Sequence, residues 1–346
     1  MRRALLLALA AAHARSVDNK YAAVARLLRD YATKHGRGAA TGAYAARRRT
    51  YVLGVYSCPE QAGNRLHEFL NAYAVAVVTD RTLVWKFCHF KRCPKENSEA
   101  RCGAALARKP WLLSVAAVGG LRSEDARRAP GWPARPTEAD VRARAGALER
   151  PAALLLDVGV MEHREAAALN AAALSPPARR RARALFGAGV DVAYGALLES
   201  AFSFVAAPRD PVPRGAASFA VHSRHQRASD AGGNVEKEAT CLATLVETPC
   251  VVFLMSDRQR SLDLLAERAA ALGCRSVVAN RAASPASGEH GPFAGAGFFA
   301  DLASASRARD GVVVNVRGSS AGELLREAAA ARAAAAGLPP PRVCVA

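Results

Sequence analysis

The sequence predicts an α/β protein whose two domains are each built on a parallel β-sheet. Residues 218–335 alternate short apolar runs, typical of buried strands, with longer segments of helical periodicity. Residues 50–85 show the same strand–helix–strand order in the N-terminal half. The segment 207–213 contains three prolines and is typical of a linker. Because 346 residues are enough for two cores, we expect Rossmann-like domains at 15–206 and 207–346, facing each other across a cleft that holds the functional site.

The N-terminal half shows the less regular pattern. Apolar spacing predicts a helix over 17–33, a strand over 50–57, a helix with apolar faces over 66–78 and a strand over 81–85. Gly63 lies between the first strand and its helix. A glycine turn into a helix N-terminus exposes N–H groups and the positive end of the helix dipole, which suits an anion or a substrate. A simple βα turn is the alternative.

The middle of the chain, from residue 88 to residue 150, is rich in Arg, Pro and Gly and has little periodicity. Elements predicted in and beyond this region are a strand at 111–118, a helix at 137–148 capped by Thr137, a strand at 152–156, and helices at 161–174, 177–185 and 194–205.

The C-terminal half is regular. Strands are predicted at 218–221, 250–255, 275–279 and 312–316, and helices at 235–246, 258–272, 298–308 and 320–335. Alternation of strands and helices at this spacing predicts a doubly wound parallel sheet.

Polar residues follow three of these strands at the point where each strand ends. They are His222, Ser223, Arg224 and His225; Ser256, Asp257 and Arg258; and Arg317, Gly318, Ser319 and Ser320. Ligands bind at the carboxyl ends of parallel strands, and arginine presents a fork of donors that suits a diphosphate. Hydroxyls and helix N–H groups at Ser319 and Ser320 suit phosphate, and Asp257 suits a purine or a ribose. The pattern predicts a nucleotide site; a basic surface loop is the alternative.

The chain is strongly basic, with a net charge of +18 and a pI of about 10.2. Such a balance is compatible with nucleic acid, anionic glycans, membrane surfaces or nucleotide-bearing substrates. Arginine carries nearly all of the basicity, in a chain that is also very rich in alanine, which indicates compositional bias as much as selection for a partner. Because no aromatic RNA-binding pattern is present, we expect no nucleic-acid partner, although a basic nucleic-acid-binding protein is a rival interpretation.

The N-terminus has the pattern of a secretory signal. Arg2 and Arg3 precede an apolar run over 4–12, and residues 12–14 have the small-x-small form of a cleavage site. The run is too short to span a bilayer comfortably, and an ordinary N-terminal helix is the alternative. We expect a signal peptide at 1–14 and a mature chain, without a transmembrane span, in the lumen of the ER or Golgi or outside the cell.

Eight cysteines fit an oxidising compartment. No Cys-x-x-Cys pair is present, and a zinc site needs four ligands at tighter spacing than the sequence offers. Disulfides are therefore expected among the cysteines of the N-terminal half, which are Cys58, Cys88, Cys93 and Cys102. Cys241 and Cys250 lie in apolar patterns and are predicted to be buried thiols.

With these residues in place, the chain resembles the fucosyltransferase superfamily with the GT-B fold, which includes the α-1,2-, α-1,6- and protein O-fucosyltransferases. The resembling stretches are Gly63-Asn64-Arg65-Leu66 followed by Asp80-Arg81-Thr82-Leu83, then His222-x-Arg224, then Asp301 through Ser320, where Gly-Ser-Ser follows the last strand. The resemblance covers roughly residues 50–85 and 215–330 and leaves the middle unmatched.

The resemblance implies a metal-independent, inverting glycosyltransferase that transfers fucose from GDP-fucose to a glycan or protein. In that mechanism Arg224 stabilises the leaving diphosphate, and His222 orients the side chain of Arg224. No metal or other cofactor is expected, since the sequence has no Asp-x-Asp. Glu60 resembles the base of one protein O-fucosyltransferase branch, or is an exposed turn residue. Donor-binding residues are then Gly63, Asn64, His222, Arg224, His225, Ser256, Asp257, Asp301, Gly318, Ser319 and Ser320.

The chain departs from the family pattern next to Arg224. His225 occupies the position of a second arginine, Arg227 occupies an acidic position, and Asp230 comes three residues late. These departures leave open a catalytically inactive relative that binds nucleotide sugars or glycans.

Overall fold

The computed structural model describes residues 20–35, 51–55, 62–86, 130–132, 136–151, 153–157, 163–202, 212–224, 231–256, 258–279, 296–314 and 319–346. They belong to two compact units. Lys20–Ser203 form the first, and Phe204–Glu289 with Ala294–Ala346 form the second. The predicted signal segment, the predicted strand at 111–118, most of the linker and the four N-terminal cysteines lie outside the described residues.

The first unit is built on a three-stranded parallel sheet. β1 (Tyr51–Val55) lies between β2 (Thr82–Lys86) and β3 (Ala153–Asp157). The strand order β2-β1-β3 means that the chain steps from β1 to one side and later crosses to the other. The three strands agree with the predicted ones to within three residues at each end.

Helices cover this sheet. They are α1 (residues 20–35), α2 (Ala62–Thr79), α3 (Glu138–Arg144), α4 (His163–Ala167), α5 (Pro176–Phe186) and α6 (Val190–Ala201), with 3-10 turns at Ala145–Glu149 and Ala168–Ala171. Residues 66–78 of α2 are all buried, because α2 packs against β1, β2 and α4–α6. A helix buried all round forms the core of its unit.

Two predicted helices are shorter than expected. The capping box of Thr137 is confirmed: its Oγ1 accepts the Asp140 N–H at 3.2 Å, and Asp140 Oδ2 accepts the Thr137 N–H at 3.0 Å. The helix nevertheless tightens into a 3-10 turn at Ala145. The single helix predicted over 161–174 is likewise the short α4 followed by a 3-10 turn and an extended end. Periodicity does not distinguish a helix from a chain of short helical turns.

Hydrogen bonds join helix α1 to the turn that leads into β2. The Tyr31 hydroxyl donates to the Arg81 carbonyl at 2.7 Å and accepts the Leu83 N–H at 3.1 Å. His35 joins Thr82 Oγ1 at 2.9 Å to Asp80 Oδ1 at 3.0 Å, and Lys34 pairs with Asp80. Burial acts to raise the pKa of Asp80, but hydrogen bonds from Lys34 and His35 outweigh it and hold that pKa below its ordinary value.

The second unit is built on a five-stranded parallel sheet in the order β6-β5-β4-β7-β8. The strands are β4 (Ala217–Ser223), β5 (Cys250–Ser256), β6 (Cys274–Val278), β7 (Gly311–Val314) and β8 (Arg342–Val345). β4 is central, so its two neighbours cover both edges and helices cover both faces, which explains its apolar sequence. The predicted doubly wound sheet is confirmed.

Within the described residues, four helices flank this sheet: α7 (Ala231–Leu245), α8 (Gln259–Ala271), α9 (Ala296–Ala305) and α10 (Ser320–Ala335). α7 and α8 share one core with Phe219 and Val221 of β4. α9 and α10 pack against each other and also contact β4. The observed bounds of α10 are the predicted ones.

Strand β8 and the disulfides are not predicted correctly. β8 follows three prolines, is largely exposed and has only a short apolar run at the end of the sequence, and no strand is predicted there. Cys241 of α7 is bonded to Cys344 of β8, with Cα atoms 5.9 Å apart. Cys250 is bonded to Cys274, its in-register neighbour on β6, with Cα atoms 4.6 Å apart. The prediction of buried thiols at 241 and 250 is therefore wrong, because α7 packs against β8 and β5 pairs with β6, which brings distant cysteines together.

Among the described helices, none combines the length and the apolarity that a membrane crossing requires.

Candidate functional site

The carboxyl ends of β4, β5 and β7 lie side by side in the second unit. Ser223 of β4 is in register with Ser256 of β5, and His222 is in register with Val314 of β7. The chain runs outward from β4 through β5 to β6, and then crosses to β7 on the other side of β4. The strand order therefore reverses between β4 and β7, which is where open α/β sheets bind ligands.

Arg224 is the first residue beyond β4 at this edge. The strand extends to Ser223, two residues farther than predicted, so His222 and Ser223 are buried within the sheet. The prediction ended the strand at Val221 because the apolar run ends there. A central strand tolerates polar side chains when other elements cover them, and only the tertiary structure shows this cover. Arg224 is half-buried.

Helix α10 begins at the same edge, against the ends of β4 and β7. At Gly322, a Cβ atom would lie 3.2 Å from Val314 Cγ1 and 3.4 Å from His222 Nδ1. The start of α10 and the end of β4 are therefore in direct contact. Arg224 and Ser319 consequently lie at one edge of the sheet, as the prediction of a nucleotide site requires.

Ser319 is the N-cap of α10, but its side chain makes no capping hydrogen bond. The residue is 4% exposed, and its Oγ hydrogen-bonds to none of the residues that the structure describes. The N–H groups of the first helical turn have no acceptor within the helix. A buried hydroxyl that makes no other hydrogen bond, beside such a turn, has the chemistry that suits an oxyanion such as phosphate.

Helix α8 begins beside this edge, at the end of β5. The backbone N–H of Arg258, the N-cap, donates to Ser256 Oγ at 3.2 Å. Ser261, in the first turn of α8, is fully buried, and its Oγ has no hydrogen-bond partner within the described ranges. Sequence reasoning missed Ser261 because a lone serine inside an amphipathic helix carries no signal.

Gly63 occupies a position other than the one expected, whereas Asp301 lies within a helix, as the helix predicted over 298–308 requires. Gly63 is the second residue of α2 rather than part of the preceding turn, and it is buried. The helix begins one turn before the first apolar residue, Leu66, because a first turn can be helical without an apolar face. Asp301 is buried in the middle of α9, about 7.5 Å along the axis from its first residue. Ser320 is the first residue of α10, as predicted, and it is buried.

The remaining predicted site residues lie where the structure gives no side-chain description. They are Glu60, Asn64, His225, Asp257 and Gly318. No group of three or more His, Cys, Asp or Glu side chains within the described ranges is arranged to hold a metal ion.

The first unit contains a buried polar cluster on α2 that sequence reasoning also missed. The His67 ring stacks on His163 at 3.5 Å, and His163 stacks on Tyr194 at 3.6 Å. The Tyr194 hydroxyl donates to Asn71 Oδ1 at 2.8 Å. Burial, and secondarily the neighbouring His163, lower the pKa of His67 to about 2, so this imidazole is neutral.

Comparison with known proteins shows the fold. A variant of FUT1 from Arabidopsis thaliana, solved in complex with GDP, superposes with a TM-score of 0.52 at 11% identity, over 88% of this chain and 77% of FUT1. The chain has the GT-B fold of a fucosyltransferase.

Two further solved structures align less closely. Fucosyltransferase NodZ from Bradyrhizobium gives a TM-score of 0.42 at 17% identity, over 82% of this chain and 93% of NodZ. POFUT1 in complex with GDP-fucose gives 0.40 at 14% identity, over 86% of this chain and 98% of POFUT1. No protein-family model matches the sequence, and no curated protein matches it in sequence.

Proposed function

We propose that the protein is a glycosyltransferase that transfers fucose from GDP-fucose to a glycan or protein acceptor. One observation carries the proposal: Arg224 and the uncapped start of α10 lie together where the strand order reverses. The fold is that of FUT1, whose variant was solved with GDP.

The charge at this edge suits a nucleotide diphosphate. Cleavage of a sugar nucleotide builds negative charge on the diphosphate, and donors already in place lower the barrier by meeting that charge. The Arg224 guanidinium offers parallel N–H donors to two phosphate oxygens. The Ser319 hydroxyl and the N–H groups of the first turn of α10 offer neutral donors, and the positive end of the helix dipole adds to them.

We propose that these groups replace a metal ion, because the sequence lacks the Asp-x-Asp with which other glycosyltransferases hold one. His222 is assigned to orientation rather than to proton transfer. It is 4% exposed, and its ring lies against the first turn of α10. A buried imidazole so placed links the strand that leads to Arg224 with the helix that begins at Ser320.

Inversion at the sugar carbon requires a base that removes the proton of the acceptor hydroxyl. We assign Glu60 to this role from its position in the sequence between β1 and α2. A glutamate that acts as a base near neutral pH must be ionised in the free enzyme, so a Glu60→Gln change abolishes turnover and leaves GDP binding intact.

The disulfides favour an oxidising compartment. Cys241–Cys344 and Cys250–Cys274 persist in the secretory lumen and are reduced in most cytosols. We therefore propose that the protein acts in the lumen of the secretory pathway or after secretion, where glycan and glycoprotein acceptors are found.

A second candidate is a relative that binds the nucleotide sugar without turnover. The observation that favours it is the replacement of the second arginine and the acidic residue of the motif by His225 and Arg227. Binding and catalysis then separate: this candidate binds GDP-fucose and releases no GDP.

Calorimetric titration with GDP, UDP, GDP-fucose and UDP-glucose tests binding, and GDP release from GDP-fucose with a glycan or glycopeptide acceptor tests turnover. The proposed enzyme binds GDP more tightly than UDP and releases GDP only when an acceptor is present. Absence of GDP binding refutes both candidates, and binding without release supports the second.

A further inference from the structure

Gly322, in the first turn of α10, is the only glycine among the sixteen residues of that helix. Alanine dominates the rest of the helix, as expected where close packing and helix propensity both matter. Glycine is a poor helix former, and its helical backbone here is one that any residue adopts. The conformation therefore does not explain why position 322 lacks a side chain.

The space around Gly322 does explain it. A Cβ atom would lie 3.2 Å from Val314 Cγ1, 3.3 Å from Val314 Cβ and 3.4 Å from His222 Nδ1. Carbon atoms at ordinary contact lie about 3.5–4.0 Å apart. The two contacts with Val314 are shorter than this, whereas the contact with the His222 nitrogen is at the limit of an ordinary one, so the helix start or the strand end must move by a few tenths of an ångström.

The groups that would move are those assigned to the donor. Gly322 is the third residue of α10, and its own N–H is among those without an acceptor in the helix. On the strand side, His222 precedes Arg224 by two residues. The contact at Gly322 thus sets the spacing between the two halves of the diphosphate site.

We propose that Gly322 is a positioning residue of the donor site, which rests on the proposed function. By lacking a Cβ, it brings the N–H groups of α10 and the Ser319 hydroxyl to the distance from Arg224 at which both bind one diphosphate. Gly322 contributes only its backbone to the site, and its role is to allow the start of α10 to lie close to the end of β4.

The proposal predicts a larger effect on affinity than on stability. Gly322→Ala weakens GDP binding about tenfold, the cost of one misaligned hydrogen bond to a charged group. The same change alters the melting temperature of the free protein little, because the preference of alanine for the helix offsets the strain of the contacts with Val314. A role in packing alone predicts the reverse: a lower melting temperature with unchanged affinity.

Gly311 provides a matched control. It begins β7 at the opposite edge of the same sheet, and a Cβ there would lie 3.0 Å from Leu245 Cδ1 and 3.0 Å from Phe219 Cδ1. Gly311→Ala therefore creates at least as much crowding away from the site. We expect it to lower the melting temperature and to leave the Kd for GDP unchanged.

Val314 provides the rescue. Val314→Ala removes Cγ1, the atom nearest to the added Cβ, and keeps Val314 Cβ, so the double variant Gly322→Ala, Val314→Ala regains most of the wild-type affinity for GDP. Val314→Ala alone lowers the melting temperature through lost packing and leaves the Kd unchanged.

Calorimetric titration with GDP and melting curves of the four variants and the wild type complete the test. A wild type that does not bind GDP overturns the proposed function and this inference together. A wild type that binds GDP and a Gly322→Ala variant with the same Kd overturn the inference alone. A Gly322→Ala variant that fails to fold, or whose Kd the Val314→Ala change does not restore, also overturns it, because the effect is then structural.

Discussion

The stack of His67, His163 and Tyr194 predicts that the protein loses stability in mild acid. In the folded protein the pKa of His67 is about 2, against an ordinary value of 6.5. Between these two values, the unfolded chain binds a proton at this imidazole and the folded chain does not. Protons therefore favour the unfolded state, and the free energy of unfolding falls as the pH falls below about 6.5.

The size of the loss follows from the two pKa values. Each pH unit below 6.5 removes at most about 1.4 kcal/mol. His67 alone then lowers the free energy of unfolding by about 1.4 kcal/mol at pH 5.5 and by about 2.7 kcal/mol at pH 4.5, relative to pH 7.5. A small domain has only about 5–15 kcal/mol in total, so this loss is readily measured.

Urea unfolding at pH 7.5, 6.5, 5.5 and 4.5 measures the effect for the wild type and for His67→Phe. Phenylalanine keeps a ring to stack on His163 and does not titrate. The free energy of unfolding of His67→Phe therefore falls less with falling pH than that of the wild type, by the amounts given above. Tyr194→Phe is the control. It removes the hydrogen bond to Asn71, which costs about 1–3 kcal/mol at every pH, and leaves the slope unchanged.

The comparison uses the slope against pH rather than the absolute stability, so a general loss of packing in His67→Phe does not affect it. If His67→Phe and the wild type lose the same free energy between pH 6.5 and pH 4.5, the imidazole is protonated in the folded state and the reasoning is refuted.

Three further predictions concern the proposed site, a disulfide and a helix cap. Arg224→Ala lowers the rate of GDP release about a hundredfold, equivalent to about 3 kcal/mol, and Arg224→Lys is also damaging because it loses the fork of donors. The control is Arg309→Ala, which removes an exposed arginine at the other edge of the sheet. EDTA is expected to leave the wild-type rate unchanged. A wild-type rate in Arg224→Ala, or loss of wild-type activity in EDTA, contradicts the role of Arg224 in binding the diphosphate. Replacing Cys241 and Cys344 by serine removes a cross-link that spans 103 residues and lowers the free energy of unfolding by about 3–5 kcal/mol. Unchanged urea unfolding of this variant argues against the disulfide. Thr137→Ala removes the capping box and lowers stability by about 1 kcal/mol, and an effect below the error of urea unfolding contradicts a stabilising cap.

The elements of the second unit were predictable because each depends on local pattern. An apolar run of five to seven residues between helical segments has few alternatives to a buried parallel strand. The helix at 320–335 was predicted with its exact bounds, since Ser319 and Ser320 mark its start and the alanine-rich run ends near Gly337. Local pattern also placed Arg224 next to a strand end, although the strand extends two residues beyond Val221.

Failures occurred where the outcome depends on residues far apart in the sequence. Cys250 and Cys274 are in register only because β5 and β6 are neighbours. The sequence of neither strand shows which strand lies next to it. The neutral state of His67 likewise depends first on burial by elements far apart in the sequence and second on His163, which is 96 residues away in the chain. Neither contact has a local signature.

The sequence by itself determined the class of fold, the positions of most strands and helices, and the set of polar residues that follow the strands of the second unit. Apolar periodicity decides these because burial of one face acts on neighbouring residues. The tertiary structure alone decided that β4 and β7 are adjacent, and hence that Arg224 and Ser319 share an edge. It also decided that Gly322 touches His222 and Val314, because a close approach is a property of two packed surfaces and not of one segment of chain.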